Sequence, residues 1–163
     1  MKTLHLLFYR PCPEDVWINH LVSYMSPPYS HCDIQFEDGV ATSIYQDETV
    51  YMKPKKFSNL SYERLSLALT DDEYRRVRTF CERAHDHKVQ FDPVGMMLTW
   101  LGAPTPPHKT FCSRYVMEAL QQTRRPEFAR RKPNRMTPSA LYGAIVNDGK
   151  DFIHVSENRL GLL

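Results

Sequence analysis

His31 and Cys112 are the two residues whose types and positions could do chemistry together. A thiol is a weak nucleophile until it ionises, and ionisation is favoured at a helix N-terminus and beside an imidazolium. Cys112 follows Lys109-Thr110-Phe111 at the start of a segment with helical spacing. Its sulfur is therefore expected to meet unpaired backbone amides and the positive end of the helix dipole. His31 opens a stretch in which polar and apolar residues alternate, which puts its ring on the polar face of a strand, toward a cleft. A strand histidine facing a helix-start cysteine suits acyl transfer through a thioester. A third polar group would have to orient the imidazole. Ser43 is expected on the same face one strand over, while Asp33 and Gln35 share that face on the histidine's own strand. The remaining cysteines read as structural: Cys81 as core on a helix, Cys32 as packed on an apolar strand face, Cys12 as a turn residue between two prolines.

The elements that must position this pair are legible as patterns. Leu4 to Tyr9 is a short apolar run closed by Arg10-Pro11-Cys12-Pro13, a buried strand ended by a turn. Glu14 to Met25 has near-helical spacing, with Val16, Trp17, Leu21, Val22 and Met25 apolar. His31 to Phe36 and Val40 to Tyr45 flank Glu37-Asp38-Gly39 as a hairpin. A three-residue loop pairs Ile34 with Thr42 and collects the apolar side chains on one face. A two-residue turn would scatter them, because a one-residue slip swaps faces. The stretch 50–69 is mixed, with a strand expected around Leu65 to Leu69. Thr70-Asp71-Asp72-Glu73 is a capping box opening a helix that runs to about Ala84 or His87. Phe111 to Gln121 is a helix with Tyr115, Val116, Ala119 and Leu120 apolar, and Thr137-Pro138 starts a last helix carrying Leu141, Ile145 and Val146.

Composition bounds the class. The chain has 163 residues, of which 42% are hydrophobic and 25% charged, enough for one domain with a core that needs no disulfides or metal. The expected fold class is α+β, a small antiparallel sheet packed on the Cys112 helix. One domain is expected over 1–163, its core spanning about 4–147, with a C-terminal extension over 148–163. A net charge of +2 does not mark a nucleic-acid binder. No apolar run of about 18 residues occurs, so no transmembrane segment is expected. The first ten residues lack a small-residue cleavage site, and the cysteine spacing has no paired motif. Both point to free thiols and a cytoplasmic location. Cys81 and His85 share a helix face but His87 points away, so neither a metal site nor a cofactor is expected. The stretch with Arg124, Arg125, Arg130, Arg131, Lys132 and Arg135 offers an anionic surface a contact. It reads more simply as a solvated connecting loop, with no strong nucleic-acid signal. Phe8, Tyr9, Trp17, Tyr29 and Trp100 are the aromatics available to wall a cleft or fill the core.

Four segments occur in a telling order: Tyr29 to Gly39, Phe91-Asp92-Pro93-Val94-Gly95, Phe111-Cys112-Ser113-Arg114-Tyr115-Val116 and Met136-Thr137-Pro138-Ser139-Ala140-Leu141. Together they resemble the circularly permuted NlpC-type papain-like superfamily of cysteine hydrolases. That group includes bacterial cell-envelope hydrolases, poxvirus homologues and lecithin:retinol acyltransferase-like enzymes. The resemblance covers about Leu4 to Asn147. It implies a permuted papain-like fold with the histidine preceding the cysteine, His31 as general base and Cys112 as nucleophile. Its third polar residue, often His or Glu, falls twelve positions after the histidine, at Ser43. A serine there departs from the pattern, since it can orient a ring nitrogen but cannot stabilise an imidazolium as a carboxylate would. The implied activity is cleavage or transfer at an amide, ester or isopeptide bond, with peptide-like, lipid or protein-conjugate acyl substrates. A family fold retained without turnover, binding a partner through its cleft or basic loop, is the alternative.

Overall fold

The structure of the chain, a computed structural model, describes residues 1–12, 14–15, 27–148 and 152–155. It is α+β. Strands β1 (Lys2–Tyr9), β2 (His31–Gln35), β3 (Val40–Ser43), β4 (Tyr51–Pro54) and β5 (Tyr62–Leu69) form an antiparallel sheet in the order β4-β3-β2-β1-β5. A two-residue parallel pair joins β6 (Gln90–Phe91) to β7 (Lys109–Thr110). Strand β8 (Phe152–Val155) adds to the sheet beside β5, within the segment expected as an extension. The helices are α1 (Asp71–Asp86), α2 (Pro93–Met97), α3 (Cys112–Gln121), α4 (Pro126–Ala129) and α5 (Pro138–Asp148), with 3-10 turns at Thr99–Leu101 and Pro133–Arg135.

Strand periodicity builds the core. Leu4, Leu6 and Phe8 of β1 and Cys32 and Ile34 of β2 point the same way and are fully buried. The sheet face they make is covered by Val77 and Cys81 of α1 and by Tyr115, Val116, Ala119 and Leu120 of α3. The capping box of α1 forms as the sequence dictates: Thr70 Oγ1 accepts from Glu73 N, and Glu73 returns the bond to Thr70 N. A fork from Arg125 to Glu73, at 2.7 and 2.9 Å, ties this cap to the segment after α3.

The hairpin takes the register expected from a three-residue loop. Ile34 pairs with Thr42, Phe36 N donates to Val40 O, and Gly39 adopts a left-handed φ of 80° that closes the turn. Elsewhere pattern and structure part. Strand β5 starts three residues earlier than the expected Leu65, because its half-buried N-terminal end pairs along the whole of β1. Strand β4 arises in a stretch without clean alternation. The basic stretch holds α4 and the second 3-10 turn, and Arg125 is engaged rather than solvated. Val146 is 45% exposed, so the last helix buries Leu141 and Ile145 without it. The helix expected over Glu14 to Met25 lies, from residue 16 onward, outside the described residues, as does Trp17.

Candidate active site

The local fold leaves the start of α3 open for chemistry. Its N-cap is Phe111, an extended and buried residue whose side chain makes no capping bond, and its first turn carries no acid. The backbone N–H groups of Cys112, Ser113 and Arg114 have no acceptor within the helix, so they offer positive potential at the sulfur. Two anchors fix that turn: Ser113 Oγ donates to Met136 O at 2.5 Å, and Asp92 N donates to Thr110 O at 2.7 Å.

His31 and Cys112 come together, although 80 residues separate them in the chain. The ring of His31 interacts with the Cys112 sulfur and with Asp33. Burial pulls the imidazole pKa down, but the negative charges of Asp33 and Cys112 overcome this and push it up to about 10. Cys112 lies well below the ordinary thiol range. The neighbouring Cys32 thiol and the positive charge of His31 pull it down, and together they outweigh burial. Burial and the neighbouring Cys112 drive the Cys32 thiol upward. These two displacements, imidazole up and thiol down, favour a thiolate–imidazolium pair. Burial pushes Cys81 up to about 12, as suits a packed core thiol.

The group behind the ring is Asp33 rather than Ser43. Asp33 Oδ2 is 3.4 Å from His31 Nε2, an ion contact between two buried atoms that have no hydrogen-bond partner among the described residues. Ser43 Oγ instead donates to Cys32 O at 2.6 Å, so its hydroxyl is taken by the backbone. Gln35 is occupied as well, donating to Lys55 O at 2.8 Å. Continuing the Ile34–Thr42 register places Ser43 opposite Asp33 and Tyr45 opposite His31. Tyr45 stacks on the imidazole with centroids 4.4 Å apart and planes 16° from parallel.

A second layer supports Asp33. Its Oδ1 accepts from Tyr51 OH and lies 3.4 Å from Lys55 Nζ. Burial raises the Asp33 pKa, but His31, Lys55 and Tyr51 together leave it below the usual carboxylate value. Lys55 Nζ donates to Tyr45 OH and sits over the rings of Phe57, Tyr45, Tyr51 and Tyr62 at 4.5 to 5.9 Å. Sequence reasoning missed Lys55, because nothing in its neighbourhood marks a lysine at a strand end as facing inward. It also ranked Tyr45 only as a face residue, although the register points to it.

The aromatics expected around a cleft divide. Phe8 and Tyr29 are buried in the core, and Trp100 is 69% exposed. Tyr9 is half-buried, and its hydroxyl donates to Asp15. Of the residues weighed for a metal, His85 Nδ1 meets Val50 O, His87 Nδ1 meets Arg83 O, and Cys81 is core. Among the described residues no cluster of three potential ligands occurs. No described helix is long and apolar enough to cross a membrane. Comparison with protein-family models, curated proteins and solved structures finds no match.

Proposed function

We propose that this chain is a thiol-dependent hydrolase or acyltransferase of the permuted papain-like type. Cys112 is its nucleophile, His31 its general acid–base and Asp33 the residue that positions His31. The observation that carries this reading is the placement of the Cys112 sulfur. It sits at an uncapped helix start, beside an imidazole held between the face of Tyr45 and the carboxylate of Asp33.

The chemistry follows from the groups present. The Cys112 thiolate adds to the carbonyl carbon of an amide, ester or isopeptide, and the carbonyl electrons move to oxygen. The Cys112 backbone N–H, free of any helical partner, faces the developing oxyanion. Collapse expels the amine or alkoxide, which takes the proton from His31 and leaves a thioester. Water or an amine, deprotonated by the now neutral imidazole, adds to the thioester carbonyl; the C–S bond then breaks, the acid or amide leaves, and the thiolate–imidazolium pair is restored. Asp33 holds the ring in place and stabilises its protonated form, as a carboxylate does in a catalytic triad. Peptide-like, lipid and protein-conjugate substrates all present such a carbonyl.

One observation favours a second reading, in which the cleft binds an acyl-bearing partner without turnover: Cys112 is only 6% exposed and His31 only 7%. Alkylation separates the two. Iodoacetamide labelling followed by peptide mapping is expected to modify Cys112 at pH 6, where an ordinary thiol of pKa about 8.5 reacts slowly. His31→Ala is expected to slow that labelling at least about tenfold, the loss of thiolate that follows when the thiol pKa rises by about one. Failure of Cys112 to label faster than an ordinary thiol, or indifference to His31→Ala, would overturn the enzymatic reading.

A further inference from the structure

The segment 93–107 contains no charged residue and presents four large apolar side chains outward, while Met96 packs against the core. Val94 is 65% exposed, Trp100 69%, Leu101 51% and Met97 42%. All four fall within α2 and the 3-10 turn that follows it, so they form one patch and not scattered surface residues. Beside it stands the second 3-10 turn with its cations. A Cβ on Gly102 would fall 2.5 Å from Arg135 Nε, so that guanidinium lies directly against the end of the apolar turn. Arg130, Lys132 and Arg135 are exposed and form no ion pair among the described residues. Residues 130–135 carry four cations and no acid.

We infer that this patch is an interfacial membrane-docking surface for bilayers containing anionic phospholipid. The chemistry matches in both parts. Trp, Leu, Met and Val enter the boundary between headgroups and acyl chains, with Trp100 favoured at that depth by its amphipathic ring. The arginines and lysine of residues 130–135 stand beside the apolar turn, Arg135 against its end, where anionic headgroups would meet them. Charge complementarity decides the occupant. A second copy of this chain would bring the same cations face to face, and a nucleic acid would use only one of the four apolar side chains. Base stacking needs aromatic faces, and Val94, Met97 and Leu101 supply none. The patch leads back to the site through Asp92, whose backbone pairs with Thr110 two residues before Cys112, so docking would hold the candidate nucleophile close to the bilayer surface.

The test uses the whole chain with the substitution Trp17→Phe, which leaves Trp100 as the sole indole. It is mixed with unilamellar vesicles of phosphatidylcholine alone, or with roughly one quarter phosphatidylserine. Flotation is expected to recover the protein with the serine-lipid vesicles, with a blue-shifted Trp100 emission, and much less with phosphatidylcholine alone. Leu101→Ser with Met97→Ser, and separately Arg130→Glu with Lys132→Glu and Arg135→Glu, are each expected to weaken binding at least about tenfold. These side chains are exposed, and an unchanged circular dichroism spectrum checks that the variants fold. Absence of flotation with the serine-lipid vesicles overturns the inference, as does binding that ignores both sets of substitutions. Quenching of Trp100 by a single-stranded oligonucleotide without vesicle binding would assign the patch to nucleic acid instead. A concentration-dependent dimer that buries Trp100 without lipid would assign it to self-association.

Discussion

Asp33 Oδ2 stands 3.4 Å from His31 Nε2, two residues away on the same face of one strand. The carboxylate is divided in its duties. One oxygen faces the ring, and the other is held by Tyr51 and Lys55. Burial alone would raise the pKa of this acid; His31, Lys55 and Tyr51 outweigh it, and the charge of Asp33 in turn raises the proton affinity of the imidazole. The arrangement uses strand alternation, which brings residues i and i+2 to one side of a sheet.

Asp33→Asn is expected to remove that charge and let the His31 pKa fall from about 10 toward the ordinary value near 6.5. The Cys112 thiolate would then lose its imidazolium partner and its pKa would climb. Alkylation below that pKa should slow by about tenfold each time the thiol pKa rises by one. The pH profile of iodoacetamide labelling measures this. The sign for stability follows from the raised imidazole pKa. A base whose pKa is raised on folding contributes stability that is complete below its unfolded pKa of about 6.5 and is lost as pH rises through about 10. The gap in thermal midpoint between the native chain and Asp33→Asn should therefore shrink between pH 6.5 and 10. A gap that stays constant or grows over that range would show that Asp33 does not act through His31.

Ser43→Ala separates a structural serine from a catalytic one. Its hydroxyl is fully buried and satisfies Cys32 O, so the expected loss is stability, about 1–2 kcal/mol for an abandoned buried acceptor. On a domain of this size that is about 2–8 °C in Tm. Labelling of Cys112 in the folded variant should keep its pH profile. A shifted profile with normal stability would return Ser43 to the triad.

The sequence reading and the structure agree where local patterns decide and diverge where the packing of long side chains does. The hairpin register rests on Ile34, Phe36, Thr42 and Gly39, each fixed by alternation or by backbone conformation. The cap of α1 rests on residues three apart. The meeting of His31 with Cys112 was approachable for the same reason, since each sits at the end of a strongly patterned element. The choice of orienting group was not approachable in that way. Ser43 and Asp33 share a face, and which one turns toward the ring depends on whether a buried carboxylate can be kept charged. That depends on His31 and also on Lys55 and Tyr51, which arrive from β4 and its C-terminal end, a stretch with no clean periodicity. The exposure of Trp100 was equally hidden, because an apolar run bounded by prolines reads as core.

Tyr45 tests the other contact on the ring. Tyr45→Phe keeps the stacked face and loses the hydroxyl that accepts from Lys55, so Cys112 labelling should stay within about twofold of native. Tyr45→Ala removes the face as well. An aromatic contact of this kind contributes about 0.5–1.5 kcal/mol, so the expected loss is about two- to tenfold in labelling rate. Equal effects of the two substitutions would mean that the hydroxyl, and not the ring face, holds His31.

Lys55 is the cation at the back of the site, 23% exposed among four aromatic rings. Lys55→Met preserves the aliphatic stem and its packing but deletes the charge. At neutral pH the loss combines cation–π contacts with the attraction to Asp33, about 1–3 kcal/mol in total. The second part exists only while Asp33 is ionised. A carboxylate whose pKa is lowered on folding contributes stability that is complete above its unfolded value, near 3.9. That stability is lost as pH falls through the folded value. The difference in thermal midpoint between the native chain and Lys55→Met should thus be largest above about pH 4 and narrow as Asp33 takes its proton at lower pH. The variant should also lose its own acid stability at a higher pH than the native chain, since its Asp33 is less strongly held in the charged form. Thermal scans at pH steps from 7 to 2 would read both effects. A difference that stays constant across that range would leave only the aromatic contacts to Lys55, and Asp33 would have to draw its ionisation from His31 and Tyr51 alone.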